Sequence, residues 1–126
     1  MPPSENDIKP SSLPPVTALA YLGDAVHSLY VRKRLCLPGF VTAVCQAELY
    51  RNIEEDFSDW ERDVFRRARN HKGLGHPKSA TGADYRTATG FEAVLGALYV
   101  TEQTERLAFL LDKAHGDRFE TLPNNP

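Results

Sequence analysis

Two carboxylic acids stand out because each is the only acid in an apolar helical stretch. Asp24 lies within residues 18–26, ALAYLGDAV, and Glu92 lies within residues 87–99, TATGFEAVLGALY. An ionised carboxylate in such surroundings is costly unless a cation or a hydrogen-bond donor meets it. Neither acid has a Lys or Arg three or four residues away on its own helix. Our hypothesis is that the two helices meet and that the two carboxylates bind a metal ion.

Mg²⁺ is the ion that best suits such a pair of acids. It prefers oxygen ligands, keeps several of its waters and takes further oxygens from a phosphate substrate. Small residues flank both acids and are expected to leave room for the ion and its waters: Gly23, Ala25, Gly90, Ala93 and Gly96. The ordinary alternative is that each acid lies at the edge of an apolar stripe with its carboxylate in water.

Positive charge is concentrated between residues 62 and 86. Seven cations lie there against two acids, and the cations are Arg62, Arg66, Arg67, Arg69, Lys72, Lys78 and Arg86. The planar fork of arginine donates two hydrogen bonds to a phosphate, so this segment is a candidate surface for a polyanion. The net charge of −2 gives no whole-chain sign of such a partner. The alternative is a solvated helix face whose arginines pair with neighbouring acids.

Several other kinds of site lack their sequence patterns. Cys36 and Cys45 have no His or Cys grouping that would complete a zinc site, and no P-loop, Rossmann, G-x-S-x-G or H-E-x-x-H pattern is present. His71 and His76 are expected to be surface polar groups. The N-terminal residues lack the apolar core of a signal peptide, and no apolar run reaches membrane-spanning length. We therefore expect a cytoplasmic protein with reduced thiols and no membrane partner.

The two acids are predicted to lie on the first and fourth of five helices. The first helix should begin near Val16, after prolines that suit a helix entry, and end before Pro38-Gly39. Its predicted apolar stripe consists of Ala18, Leu22, Ala25, Val26 and Leu29. The fourth helix should carry Glu92 just beside one apolar face, formed by Phe91, Val94, Leu95, Leu98 and Tyr99.

The remaining elements are also predicted to be helical. Helices are expected at residues 41–56, 59–70 and 103–114, and the second of these should be capped by Ser58 with Glu61 three residues on. Residues 71–85 show no sustained period and are expected to be irregular. No alternating apolar run competes with the helices, so the fold class is all-α. The predicted layout is a flexible lead-in, a folded domain and a frayed tail, at residues 1–15, 16–115 and 116–126.

Both acidic helices resemble a known family. Residues 20–26, AYLGDAV, resemble the signature helix of the ribonuclease III family, in which an acid ends an F/Y-L-G-D motif. Residues 91–99, FEAVLGALY, resemble that family's second acidic helix. Three stretches between them are similar to the compact bacterial branch called Mini-ribonuclease III: RARNHK at 67–72, PK at 77–78 and YRTATGFE at 85–92. The resemblance runs from about residue 19 to 111, and nothing resembles a double-stranded-RNA-binding domain.

The resemblance implies a ribonuclease III-like endonuclease domain that works as a homodimer with one acidic site per protomer. It implies cleavage of both strands of double-stranded RNA with Mg²⁺, for which Mn²⁺ is a candidate substitute. The implied substrate is the 23S ribosomal RNA precursor, with a ribosomal protein or the pre-ribosome as a further partner. Asp24 and Glu92 match the family's catalytic metal ligands. The residues that match RNA-facing positions are Arg66, Arg67, Arg69, Asn70, Lys72, Lys78 and Arg86.

The sequence departs from the wider family in two ways. Full ribonuclease III has further acids four residues before the first motif Asp and three before the second motif Glu, where this chain has Ala20 and Thr89. More of the metal shell would then be water and substrate. The link between Leu35 and Gln46 is also shorter than expected for Mini-ribonuclease III. These departures motivate one alternative, a non-catalytic homolog of the same fold that binds double-stranded RNA or the ribosome. A plain helical interaction module is a third hypothesis, but it would leave both acids and the basic segment unexplained.

Overall fold

The computed structural model describes residues 8–35, 42–72 and 82–116. Every regular element in these ranges is helical, which confirms the all-α fold. The five α-helices are α1 (Val16–Leu35), α2 (Ala43–Ile53), α3 (Asp59–Arg69), α4 (Gly82–Val100) and α5 (Thr104–His115), with short 3₁₀ helices at Pro10–Ser12 and Glu54–Asp56. No helix in the described part of the chain is long and apolar enough to cross a membrane.

Helix α4 lies at the centre of the molecule and contacts each of the other four α-helices. Its side chains are buried from Ala88 to Leu98, except for Glu92, which is partly exposed. A helix with apolar residues on every face is buried on every face. For this reason α4 has no single face that forms the core. The predicted face is confirmed at its first four positions but wrong at Tyr99, which is 52% exposed.

Helix α1 buries a different face from the predicted one. Its buried residues are Leu19, Ala20, Gly23, His27 and Val31. The predicted stripe is instead partly or fully exposed, and its member Leu29 is 67% exposed. The prediction was wrong because it followed apolar side chains alone, whereas the closest contact of α1 with another helix is made by a glycine.

Two glycines let α1 and α4 approach until their backbones touch. A β-carbon on Gly23 would overlap the carbonyl oxygen of Glu92, and one on Gly96 would overlap the carbonyl oxygen of Leu19. Gly90 has a related role toward α3, because a β-carbon there would lie 2.6 Å from the Phe65 ring. These three glycines therefore serve helix packing rather than leaving space for an ion, as the sequence had predicted for them.

Helix α3 begins at the capping box that the sequence predicts. The Ser58 hydroxyl accepts from the Glu61 backbone N–H, and the Glu61 carboxylate accepts from the Ser58 backbone N–H. Glu61 is also fully buried, and the Arg106 guanidinium donates to both of its oxygens at 2.7 and 2.8 Å. A buried carboxylate requires such a partner, so this ion pair fixes α5 against α3.

Several predicted boundaries differ from the observed ones. Helix α4 begins at Gly82, so residues 82–85 are helical rather than irregular. The rest of that segment, residues 73–81, and the predicted helix stop at residues 38–39 lie outside the described residues. The Trp60 indole donates to the carbonyl oxygen of Ile8 at 2.6 Å, so the chain before α1 already contacts the helical domain. The domain limits at residues 15 and 116 stay predictions.

Candidate active site

Asp24 and Glu92 line the same pocket, which has a volume of about 460 Å³. Asp24 extends from α1 and is exposed, whereas Glu92 extends from α4 and is partly buried. The contact between the two backbones at Gly23 and Glu92 places the acids side by side. The other lining residues are Thr17, Ala20, Tyr21, Ala43, Gln46, Tyr85, Ala88 and Thr89.

A proton on Glu92 reduces the negative charge of this pocket. Burial, followed by a hydrogen bond with Asp24 and the Asp24 charge, raises the pKa of Glu92 to about 9. The Gln46 amide nitrogen, which donates to Glu92 Oε2 at 3.3 Å, opposes the rise. Glu92 therefore keeps its proton at neutral pH when no cation is near.

The donor set fits a divalent cation that keeps most of its own waters. A cation between the carboxylates would displace the proton and supply the opposite charge that the pocket lacks. Among the described residues no group of three or more His, Cys, Asp and Glu side chains is arranged to hold a metal. Two carboxylates with water and phosphate oxygens are a ligand set that Mg²⁺ accepts. Ala20 and Thr89, the positions where the wider family has acids, both line this pocket.

A buried polar network lies behind Glu92 and was not predicted from the sequence. His27 from α1 and His115 from α5 are fully buried, with their Nε2 atoms 2.9 Å apart. His27 Nδ1 lies 3.2 Å from the Gln46 amide nitrogen, which also contacts Glu92. The available signal was weak: His27 lies four residues after Gly23 and eight after Leu19, on the face that turns out to be buried.

The predicted RNA-facing residues lie at the surface wherever they are described. Arg66 and Arg67 both pair with Asp63, at 2.5 and 2.9 Å, so part of the positive charge of α3 is balanced within the helix. Arg69 donates to the Asn70 side chain at 3.3 Å, and Asn70 ends the helix. Lys72 and Arg86 are exposed. Lys78 lies outside the described residues.

Comparison with known proteins agrees with the fold and the two acidic helices. A model of the Ribonuclease III domain matches residues 17–103, which is more than half of the chain. The chain belongs to the ribonuclease III family. The match includes all of α4 and all of α1 except its first residue, Val16, and with them both pocket acids.

Relatives and a solved structure point to the compact branch of this family. "Mini-ribonuclease 3" from Symbiobacterium thermophilum is 43% identical, over 83% of this chain and 90% of the relative. "Mini-ribonuclease 3" from Streptococcus pneumoniae is 38% identical, over 75% and 85%. The crystal structure of protein FN1578 from Fusobacterium nucleatum superposes with a TM-score of 0.68 at 29% identity, covering 77% of this chain and 88% of the other. The resemblance to Mini-ribonuclease III is thus confirmed.

Proposed function

We propose that this protein hydrolyses phosphodiester bonds of double-stranded RNA at the Asp24–Glu92 pocket, with Mg²⁺ as its cofactor. As a member of the ribonuclease III family it is an endoribonuclease that acts on double-stranded RNA. One observation carries the assignment of the site: acids from two different helices line one pocket, where Glu92 holds a proton that a cation would replace.

Asp24 and Glu92 would hold the ion, and Mn²⁺ is a candidate substitute. When bound, the ion would activate a water and neutralise charge on the phosphate and on the leaving 3′-oxygen. The protein's own contribution is position, because the contact of α1 with α4 brings the carboxylates together without a flexible segment between them. Small side chains at Ala20 and Ala88 line the pocket and would admit a phosphodiester backbone.

Basic residues around α3 would hold the duplex by its phosphates. Arg69, Lys72 and Arg86 are exposed and are the cations we expect to contribute most, because Arg66 and Arg67 already share Asp63. Contacts to phosphate read duplex shape rather than base identity, since the deep groove of A-form RNA hides its bases. Binding should therefore weaken steeply as salt rises.

We propose a second copy of this chain as a partner. Large apolar side chains are exposed on α1 and α4, including Leu29 at 67% and Tyr99 at 52%. Both line a groove of about 230 Å³ whose other walls include Val26, Leu107 and Leu111. Exposed apolar surface of this kind marks an interaction site. Two-fold pairing would bring one pocket to each strand of a duplex.

The proposed natural substrate is the 23S ribosomal RNA precursor, in the cytoplasm, with the pre-ribosome or a ribosomal protein as a further partner. This part of the proposal follows from the resemblance to Mini-ribonuclease III, the name that the relatives carry. Ribosomal RNA from cells that lack the protein would test it. Accumulation of 23S precursor with unprocessed ends is expected, and normal ends would contradict the substrate assignment.

The activity is tested with a labelled RNA duplex in Mg²⁺ and again in chelator. Asp24→Asn and Glu92→Gln should each abolish cleavage while the protein stays folded and still binds the duplex. Undiminished cleavage by either variant would overturn the site. Duplex binding by the wild-type protein without any Mg²⁺-dependent cleavage would favour the non-catalytic homolog.

A further inference from the structure

A continuous series of polar side chains runs from the pocket into the core, one from each of four helices. Glu92 on α4 accepts from the Gln46 amide nitrogen on α2 at 3.3 Å. The same nitrogen lies 3.2 Å from His27 Nδ1 on α1, and His27 Nε2 lies 2.9 Å from His115 Nε2 on α5. Gln46, His27 and His115 are 2%, 0% and 1% exposed, so water does not compete for these contacts.

With Glu92 ionised, as it is when it binds a metal ion, the donors and acceptors of this series agree in only one direction. An amide nitrogen has two hydrogens, so Gln46 can donate both to Glu92 and to His27. His27 Nδ1 must then be an acceptor, which makes the ring neutral with its proton on Nε2. That proton is donated to His115 Nε2. Turning the Gln46 amide over would place its carbonyl oxygen against an ionised carboxylate, which can only accept, and would require the other His27 tautomer, with the proton on Nδ1.

The protonation state of His27 agrees with this direction. Burial and, to a smaller extent, His115 lower the pKa of His27 to about 3 against an opposing effect of Asp24. A neutral His27 is the state that can accept from Gln46 and donate to His115. Leaving any of these buried groups without its hydrogen bond would cost stability, so the network favours one orientation of Gln46.

We infer that Gln46 is a positioning residue that fixes the Glu92 carboxylate for the metal ion, and that the His27–His115 pair sets the orientation of its amide. The inference rests on the proposed function, in which Glu92 is a metal ligand. Groups that hydrogen-bond to a metal ligand orient it and raise its affinity for the ion. Here the orienting group is a neutral amide held in place by α1 and α5.

The test compares Gln46→Leu with Asn52→Leu, two changes of the same kind on the same helix. Asn52 donates to the carbonyl oxygen of Ala114 at 2.9 Å and does not line the pocket. Gln46→Leu should weaken binding of Mn²⁺, measured by calorimetry without RNA, by about 10- to 100-fold. It should raise the Mg²⁺ concentration for half-maximal cleavage by a similar factor, with the KM for RNA unchanged at saturating Mg²⁺. Asn52→Leu should change neither value.

Wild-type metal affinity in folded Gln46→Leu would overturn the inference. If Glu92→Gln nevertheless abolishes cleavage, the proposed function survives and only the role of Gln46 fails. If Glu92→Gln cleaves normally, the proposed function itself fails. A second measurement needs no variant: ¹⁵N NMR of the His27 ring in the wild-type protein saturated with Mg²⁺. A protonated Nε2 with an unprotonated Nδ1 is expected, and the opposite tautomer would overturn the inference even if Gln46→Leu did not fold.

Discussion

The α-carbon of Gly23 packs directly against the carbonyl oxygen of Glu92. No side chain separates α1 from α4 at this point, so the acid that follows Gly23 in the sequence lies beside the Glu92 side chain. The proximity of the two carboxylates is therefore a property of the helix crossing. The same crossing has a second contact of this kind, where Gly96 packs against the carbonyl oxygen of Leu19.

Gly23→Ala should destabilise the protein strongly. The added β-carbon would overlap a backbone atom, which can move only if α1 and α4 separate. We expect the free energy of unfolding to fall by at least about 3 kcal/mol, the upper range for overpacking a core, as measured by urea denaturation. Gly82→Ala is the matched control, because its β-carbon would meet only the flexible end of Arg86 at 3.3 Å. Equal stabilities of the two variants would contradict the direct backbone contact.

Glu92 should make the metal-free protein less stable as pH rises. Its pKa is about 9 in the folded state, against an ordinary value of 4.5. Between these values the folded state holds a proton that the unfolded state has released, so the free energy of unfolding decreases as pH rises from about 4.5 to 9. Glu92→Gln removes this contribution, so in chelator its free energy of unfolding should change less with pH than that of the wild type. Its stability relative to the wild type should be greatest near pH 9. Urea denaturation at several pH values would check this, and parallel profiles would contradict it.

His27 should have the opposite effect on the acid side. Its pKa is lowered from 6.5 to about 3 in the folded state. Between these values the unfolded state binds a proton that the folded state does not, so the free energy of unfolding decreases as pH falls from about 6.5 to 3. His27→Gln should lose less stability than wild type over that range, whatever its stability at pH 7. The difference between the two denaturation profiles isolates His27 from the carboxylates that also titrate there.

Leu29→Glu should yield a folded monomer if the apolar groove is the dimer interface. Burying a charge in a largely apolar interface is costly, whereas Leu29 is 67% exposed in the single chain, where a polar side chain would meet water. Light scattering after size-exclusion chromatography should show the mass of one chain for Leu29→Glu and of two for wild type. Val44→Glu is the matched control on α2, since Val44 is 44% exposed but does not line the groove. A dimer of Leu29→Glu would place the interface elsewhere.

The sequence predicted those features that depend on local pattern. The apolar runs around Asp24 and Glu92 are long enough to define helices, and the Ser58–Glu61 capping box is complete within four residues. The family motifs then placed the two acids together, which periodicity alone could not do, because it gives the face of a helix but not its neighbour.

The features it missed depend on how helices meet. The buried face of α1 is defined by Gly23 and His27, which no scale of apolar side chains selects. The His27–His115 contact joins residues 88 apart in the chain, and the Glu61–Arg106 pair joins residues 45 apart. No buried partner was predicted for any of these residues, because the partner becomes apparent only once the helices are packed.

Arg69→Ala should weaken binding of duplex RNA and reduce its salt dependence. Arg69 is exposed at the end of α3 and makes no ion pair with an acid within the described residues. Removing one phosphate contact lowers the affinity for every RNA sequence by a similar factor. It also makes the plot of log affinity against log salt concentration less steep by about 1. Arg51→Ala is the control, because Arg51 is an exposed arginine that pairs with Asp84 and lies outside the basic segment. Both substitutions would be made in the catalytically inactive Asp24→Asn protein, and duplex binding would be measured at several salt concentrations. An equal loss of affinity in the two variants would indicate a general effect of charge rather than a contact at Arg69.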